Sequence, residues 1–489
     1  MIFLSQFIRK YGAWAALTTL ALAPIAVCAD PPVPPAYILS DLGTVPGTTG
    51  NSFGLGVNDR GQVTGGGVFD TSGGPTTAFI SGANGAGPLK PLEGLPGGFG
   101  YEGGVAINAA GQVTGWDYTA DGSPRAFLSD PNGGALHDLG TLPGGTGSRG
   151  SAVNDHGQVT GVGDTGSTTV AFLSEPNGGP LHLLGTAPGG SASESAEGVN
   201  AAGEVTGRFS TADGTVHAYL SGPNGGAISD LGILPDGRNS AGYGVNASGQ
   251  VAGWADIADG SNTYHHAFLS GPNGGALQDL QGLGTASGTT SEARAVNDGG
   301  QIVGFSLSNG GESRAFIYSS GVMTDLNSVL TPLSSFTRLY AAYSISNDGH
   351  ITGEGLTSDG YVHAFLLTPI KAAPRITVRA AASAANGAGQ RTITVTATNT
   401  GGAAANRFQI TRLALNGAAP LPPPVSPSPT PTVPVTLSNT PGMNTQTYRF
   451  VFKTAPGLKQ AILRVVGSYT DPNNQQGNTF TASIRLPLR

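Results

Sequence analysis

Residues 152–161 read AVNDHGQVTG, residues 106–115 read AINAAGQVTG and residues 295–304 read AVNDGGQIVG. A chain that rewrites one decapeptide at near-regular intervals builds one structural unit many times. That restricts the fold to solenoids, arrays and closed rings. The glycine of this motif recurs at Gly61, Gly111, Gly157, Gly203, Gly249, Gly300 and Gly349, with spacings of 50, 46, 46, 46, 51 and 49 residues. A second element recurs in step: AFI (78–80), AFL (126–128), AFL (171–173), AYL (218–220), AFL (267–269), AFI (315–317) and AFL (364–366). The third is DLG or a relative of it, at 41–43, 92–94 as LEG, 138–140, 183–185 as LLG, 230–232, 279–281 as DLQ and 325–327 as DLN.

Each unit holds four short segments rich in Val, Ile, Thr, Phe and Leu, the residues that suit a pleated surface. Turn residues separate them. Asn-x-x-Gly, as in Asn154 to Gly157, suits a tight turn with a positive φ at the glycine. Asp-Gly pairs such as Asp121-Gly122 and Asp213-Gly214 predict a hairpin between the second and third strands. Pro-Asn-Gly-Gly (131–134, 176–179, 223–226, 272–275) joins the third to the fourth. Four antiparallel strands in about 48 residues make one propeller blade. The last unit stops at AFLLTP (364–369) without its DLG strand, while an unpaired ILSDLG (38–43) stands at the start. The expected fold is therefore all-β: a seven-bladed β-propeller closed by the N-terminal strand, which also removes an exposed edge. A solenoid of similar period is the rival, and it has no use for mismatched ends.

HHAFL (265–269), VHAFL (362–366) and VHAYL (216–220), with GVN and GQVTG upstream and DLGTLPGG downstream, resemble the HAF family of extracellular repeats. The resemblance covers residues 36–369. It implies a secreted, mostly bacterial protein and supplies no catalytic residues. Thr77, Arg125, Val170 and Arg314 stand where the family motif has His, so that His is not a ligand required in every unit.

The flanks differ in character. Residues 1–29 carry Arg9 and Lys10, an apolar run and small residues before Asp30, the layout of a signal peptide cleaved after about Ala29. Cys28, the one cysteine, falls at this cleavage region. A lipoprotein attached through it is the less favoured reading, since Val27 fits that motif poorly. Otherwise the mature chain has no disulfide and no cysteine-based chemistry. From Lys371 to Arg489 there are twelve Lys/Arg and one acid, Asp471; from Asp30 to Ile370 there are nine Lys/Arg and 29 acids. Opposite charge on the two parts predicts two domains. Strand-like runs such as RTITVTATNTGG (391–402) and TYRFVFK (447–453) predict a β-sandwich over 370–489, with a Pro-rich loop at 420–435. TVTATNTGGAA resembles the strand and turn of CARDB-like Ig modules.

Chemistry is sparse. His265-His266 is the only close histidine pair, and neighbours on a strand face opposite ways. Asp117–Asp121 and Asp256–Asp259 place two carboxylates each on a loop, enough for weak Ca2+ binding, although hairpin turns use Asp for backbone reasons too. No G-x-S-x-G elbow and no phosphate loop is present. Strand alternation puts the Asn-x-x-Gly and Pro-Asn-Gly-Gly turns on one face and the more varied Asp-Gly turns and Leu-Pro-Gly-Gly links on the other. Variable loops on a rigid scaffold are where binding tends to reside. Trp116 and Trp254 share one position in their units, near that face, with Tyr118 and Tyr264 nearby. These four are the ligand-binding candidates, with inter-blade packing as the plain alternative for the tryptophans. The cationic C-terminal part could grip a polyanion or dock on the acidic repeats. The expected protein is a secreted or periplasmic binding or scaffold protein, without catalytic residues, for a glycan or protein ligand. The alternatives are a propeller glycosidase or polysaccharide lyase with carboxylates on the axis, and a structural envelope component. No membrane span and no specific nucleic acid is expected.

Overall fold

The computed structural model describes residues 37–489 except 49, 69–75, 99–102, 260–261, 285–288, 333, 371–374, 400–404, 417, 421–434, 438–443, 455–458, 471–476 and 489. The expected signal peptide with Cys28, and nearly all of the expected Pro-rich loop, lie outside the described residues. Among the described residues no helix is long and apolar enough to cross a membrane.

Nine four-stranded antiparallel sheets make up the described chain. Sheet 1 comprises Ser52–Val57, Val63–Val68, Thr76–Ile80 and Lys90–Pro91, in sequence order. Sheets 2 to 6 repeat that plan at residues 103–138, 148–183, 190–230, 240–279 and 291–325. Sheet 7 comprises Phe336–Ile345, Ile351–Thr357 and Val362–Pro369, and its fourth strand is Tyr37–Asp41 from the start of the chain. Leu39 pairs with Leu367, Ser40 with Leu366 and Asp41 with Phe365. The second strands and the phenylalanines of the third strands are buried, so each sheet hides both faces against its neighbours. Each sheet packs on the next, and sheet 7 packs on sheet 1. This closed succession is a propeller-type architecture.

Repeated side-chain bonds explain the repeated letters. The Asn of Asn-x-x-Gly is a turn residue and a staple at once. Asn154 Oδ1 accepts from the N–H of His156 and Gln158, while its Nδ2 donates to Gln158 Oε1 and to the carbonyl of Asn200 in the next sheet. The same reach runs from Asn58 to Asn108, Asn108 to Asn154, Asn200 to Asn246, Asn246 to Asn297 and Asn297 to Ser346. At the seam, Asp348 N–H donates to Asp59 Oδ1 at 2.9 Å. A serine opening the first strand makes a second staple. Ser148 Oγ accepts from Ala126 N–H of the preceding sheet and donates to Gly140 O; Ser52 does the same across the seam with Ala364 and Gly43.

The two uniform turns share one face, as strand direction predicts. Gly133 N–H donates to Gly111 O, and a Cβ on Gly111, at φ +78°, would sit 3.0 Å from Asn132 N. Only glycine admits that approach in that conformation.

The C-terminal part forms the other two sheets. Ile376–Ala382, Gln390–Asn399, Thr445–Thr454 and Ala418–Pro420 make one; Val435–Leu437, Ala405–Leu415, Gln460–Thr470 and Gly477–Pro487 make the other. The buried residues alternate strictly along Gln390–Asn399, and Ile393, Val395, Phe450 and Phe452 share a core with Phe408, Ile410, Leu463 and Val465 of the other sheet. The strand-like runs RTITVTATNTGG and TYRFVFK fall on Gln390–Asn399 and Thr445–Thr454, which pair with each other.

Candidate functional site

The first strand of each of the seven sheets breaks its ladder at one equivalent place. The pairing skips one residue at Leu55, Val105, Ser151, Glu197, Tyr243, Arg294 and Tyr343, three positions before the turn residue. A bulge leaves its extra residue unpaired and re-aims its side chain. All seven residues line one cavity of about 420 Å³, bounded by the first strands of all seven sheets. Their side chains are half-buried. One arc of this axial wall is plain (Leu55, Val105, Ser151); the other is chemically rich (Glu197, Tyr243, Arg294, Tyr343).

Second-strand residues hold the rich arc in place. Trp254 Nε1 donates to Tyr243 Oη at 3.2 Å. The Arg294 guanidinium lies 4.5 Å from the Tyr243 ring centre and 5.4 Å from that of Phe305, and its Nη2 is 2.8 Å from Glu292 Oε2. Tyr343 Oη donates to Glu354 Oε1 at 2.8 Å. Burial pushes the Tyr343 hydroxyl well above its usual range, and the Glu354 charge adds to that. Burial also raises the Glu354 carboxyl, against the pull of the Tyr343 hydrogen bond. His265 stacks on Trp254 with ring centres 4.1 Å apart and lies 3.3 Å from Asp256 and 4.0 Å from Glu292. Its pKa is raised, first by its interaction with Glu292.

The four candidates from the sequence are spread over two sheets. Trp116 and Tyr118 lie on the second strand of sheet 2; Trp254 and Tyr264 lie on sheet 5. Both tryptophans are half-buried and lean over the first strand of their own sheet: the Trp116 ring lies against Gly103, and Trp254 Nε1 reaches Tyr243 Oη. Trp254 therefore belongs to the support of the axial arc. Tyr264 pairs with Ile257, which puts it on the other face of the sheet from Trp254. The loop carboxylates serve the backbone. Buried Asp117 accepts from Leu95 N–H and Tyr118 N–H, Asp256 accepts from Asn239, and Asp121 accepts from Thr119 and Ser123. No group of three or more His, Cys, Asp or Glu suited to a metal ion occurs among the described residues.

The histidines of the repeat have a visible partner. His217, His266 and His363, or Arg125 and Arg314, stand before Ala-Phe/Tyr and meet the Asp of the DLG element: Asp230, Asp279, Asp41, Asp138 and Asp325, at 2.9, 2.9, 3.0, 3.8 and 3.2 Å. The two units without the cation also lack the acid, since Val170 goes with Leu183 and Thr77 with Pro91. Those two positions correct one alignment. In sheet 1 the element equivalent to Asp138-Leu139-Gly140 is Pro91-Leu92-Glu93, not 92–94, because Leu92 N–H donates to Ala78 O just as Leu139 N–H donates to Ala126 O.

No family model and no curated protein matches the chain. Among solved structures it is similar to TolB from Acinetobacter baumannii at 11% identity and a TM-score of 0.37, covering 64% of this chain and 65% of TolB. It is also similar to an oligogalacturonate lyase in complex with manganese (12%, TM-score 0.40, 68% of this chain and 96% of the lyase). A third is the Pyrococcus horikoshii acylaminoacyl peptidase (9%, TM-score 0.40, 69% and 56%). The chain thus spans less than two thirds of TolB and of the peptidase. These likenesses are weak, and the fold assignment rests on the chain's own sheet order.

Proposed function

We propose that the seven sheets form a seven-bladed β-propeller of HAF-type repeats, closed by the N-terminal strand and followed by an Ig-like β-sandwich from residue 370. A signal peptide at residues 1–29 sends the chain out of the cytoplasm, to the cell surface or beyond. There it acts as a non-enzymatic binding or scaffold protein for a glycan or protein ligand, and the axial wall is its contact surface. One observation supports this most: the residues flanking each bulge are Gly, Ala or Ser throughout, yet the bulge positions, all lining one cavity, read Leu, Val, Ser, Glu, Tyr, Arg and Tyr. Side chains that only fill a symmetric scaffold have no reason to diverge around a shared cavity.

The test is a plug. Val105→Trp and Ser151→Trp narrow the cavity from its plain arc and leave the rich arc untouched. In a glycan and protein binding screen with the full chain, each should reduce retained ligand at least tenfold. Binding that survives both places the contact elsewhere.

Glu354 supports a second reading, that of a glycosidase. A carboxyl whose pKa burial raises suits a general acid, and Glu292, bonded to Arg294, is a second carboxylate behind the same arc. Under that reading Glu354→Gln abolishes turnover of an oligosaccharide and leaves its binding intact. Under the favoured reading the unmodified protein shows no turnover.

A further inference from the structure

The cation of the rich arc is already matched, and one carboxyl behind it is held close to a phenol. Arg294 is paired with Glu292 at 2.8 Å, and Glu354 sits against Tyr343 in surroundings that favour its neutral form. An anionic ligand would meet Glu197, the carboxylate that lines the cavity, and the wider field of a segment with 29 acids and nine bases. A cationic one would meet the Arg294 guanidinium, which lines it too. A neutral ligand faces neither cost.

The shape of the wall narrows the class further. Leu55 and Val105 offer aliphatic surface on one arc, and the opposite arc offers a guanidinium, a carboxyl and two phenol rings. Tyr243 and Tyr343 are tethered at their hydroxyls by Trp254 and Glu354, so their rings are held before any ligand arrives. Side chains ordered in advance lose little freedom on binding. A pyranose ring matches this pairing, since it carries C–H patches beside hydroxyls that bond planar groups such as carboxyl and guanidinium. A cavity of about 420 Å³ is of the size of a small-molecule site.

We propose that Tyr243, Arg294 and Tyr343, backed by Glu292 and Glu354, form a saccharide subsite for a neutral pyranose unit. This rests on the axial contact surface proposed above.

The experiment uses the full chain on a microarray of neutral oligosaccharides, uronic-acid oligosaccharides and peptides, followed by calorimetric titration of the best binder. Neutral oligosaccharides should bind. Arg294→Ala and Tyr343→Ala should weaken them at least tenfold, and Tyr343→Phe, which keeps the ring and loses the Glu354 bond, by about threefold to tenfold. Asp121→Asn, in an exposed hairpin, should leave binding unchanged. Tyr343→Phe should also melt within a few degrees of the parent, which separates lost binding from lost folding. Uronic-acid chains or peptides binding in place of neutral sugars, and sensitive to Arg294→Ala, would overturn the neutral saccharide and leave the axial surface standing. Neutral sugars that bind Arg294→Ala and Tyr343→Phe as tightly as the parent would overturn the subsite. Failure of every probe to bind would overturn the binding reading itself.

Discussion

Six of the seven turn positions that end the first strands are asparagine, and the seventh is Ser346; three residues upstream, the same strands carry Leu, Val, Ser, Glu, Tyr, Arg and Tyr. The two rings have the same symmetry and lie about 10 Å apart along the strand. They differ in what their side chains must satisfy. An asparagine here meets two backbone N–H groups of its own turn, one glutamine and one carbonyl of the neighbouring sheet, and no other side chain of its length has the same donors and acceptors. The bulge residue owes nothing to the ladder, so its identity is free. Sameness in a repeat protein marks the bonds that hold units together, and difference marks the surface left for something else.

Breaking the uniform ring gives the largest expected effect. Asn154→Ala strands the buried Gln158 N–H, takes a partner from the His156 N–H and leaves the Asn200 carbonyl with the Gly203 N–H alone, cutting the bond to the next sheet. The expected loss is roughly 2–4 kcal/mol of stability. Ser151→Ala, in the varied ring of the same strand, should change stability by no more than about 0.5 kcal/mol. Urea denaturation of the two variants checks the contrast. Equal losses would mean that the rings do not divide the work as described.

The seam sharpens the same comparison, because there a repeated bond must be made between chain ends. His363 Nδ1 meets Asp41 Oδ1 at 3.0 Å, over a separation of 322 residues. Burial works against the Asp41 charge, but the hydrogen bonds from His363 and from Gly43 N–H outweigh it and hold the carboxyl below its ordinary 3.8. The bond to Asp41 raises His363 above 6.5, against the opposing effect of burial. A lowered carboxyl contributes stability above its unfolded pKa and loses it as the pH falls through the folded one. A raised histidine contributes stability below its unfolded pKa and loses it as the pH rises through the folded one. The latch is therefore strongest between about pH 4 and 6.5. Asp41→Asn should cost roughly 1–2 kcal/mol at pH 5.5 and clearly less at pH 8.5. Unfolding curves at the two pH values decide it, and a pH-independent loss would remove His363 from the latch.

Much of this architecture was legible in the letters. The period, the four strands per unit and the pairing of ILSDLG with the last AFL strand follow from turn chemistry and from mismatched ends. The axial ring was not read, because a bulge leaves no mark on apolar alternation within one repeat. It shows only as a column, Leu55 to Tyr343, that varies between constant neighbours. Trp116 and Trp254 drew attention as large rings near variable loops, and strand parity alone does not say that they lean over the first strand. The LEG of sheet 1 was shifted by one because its letters imitate DLG; the buried leucine, Leu92, fixes the register instead.

The smallest effect tests the pairing that ties the two named motifs together. In sheet 3, Val170 and Leu183 occupy the places that His266 and Asp279 hold in sheet 5. If the histidine is there for its carboxylate, then Val170→His alone adds an unpaired polar ring next to an apolar neighbour. Leu183→Asp alone adds an unpaired charge on a strand whose Leu183 side is already open to solvent at 55% exposure. Val170→His, at a core position 3% exposed, should cost about 1–3 kcal/mol alone, Leu183→Asp a few tenths, and the double change should recover about 0.5 kcal/mol of coupling. The coupling should appear near pH 6 and fade near pH 9, as the imidazole loses its proton. A cycle with no coupling at pH 6 would detach the histidine from the acid. The co-occurrence of cation and carboxylate in five units, and of neither in two, would then need a cause outside the pair itself.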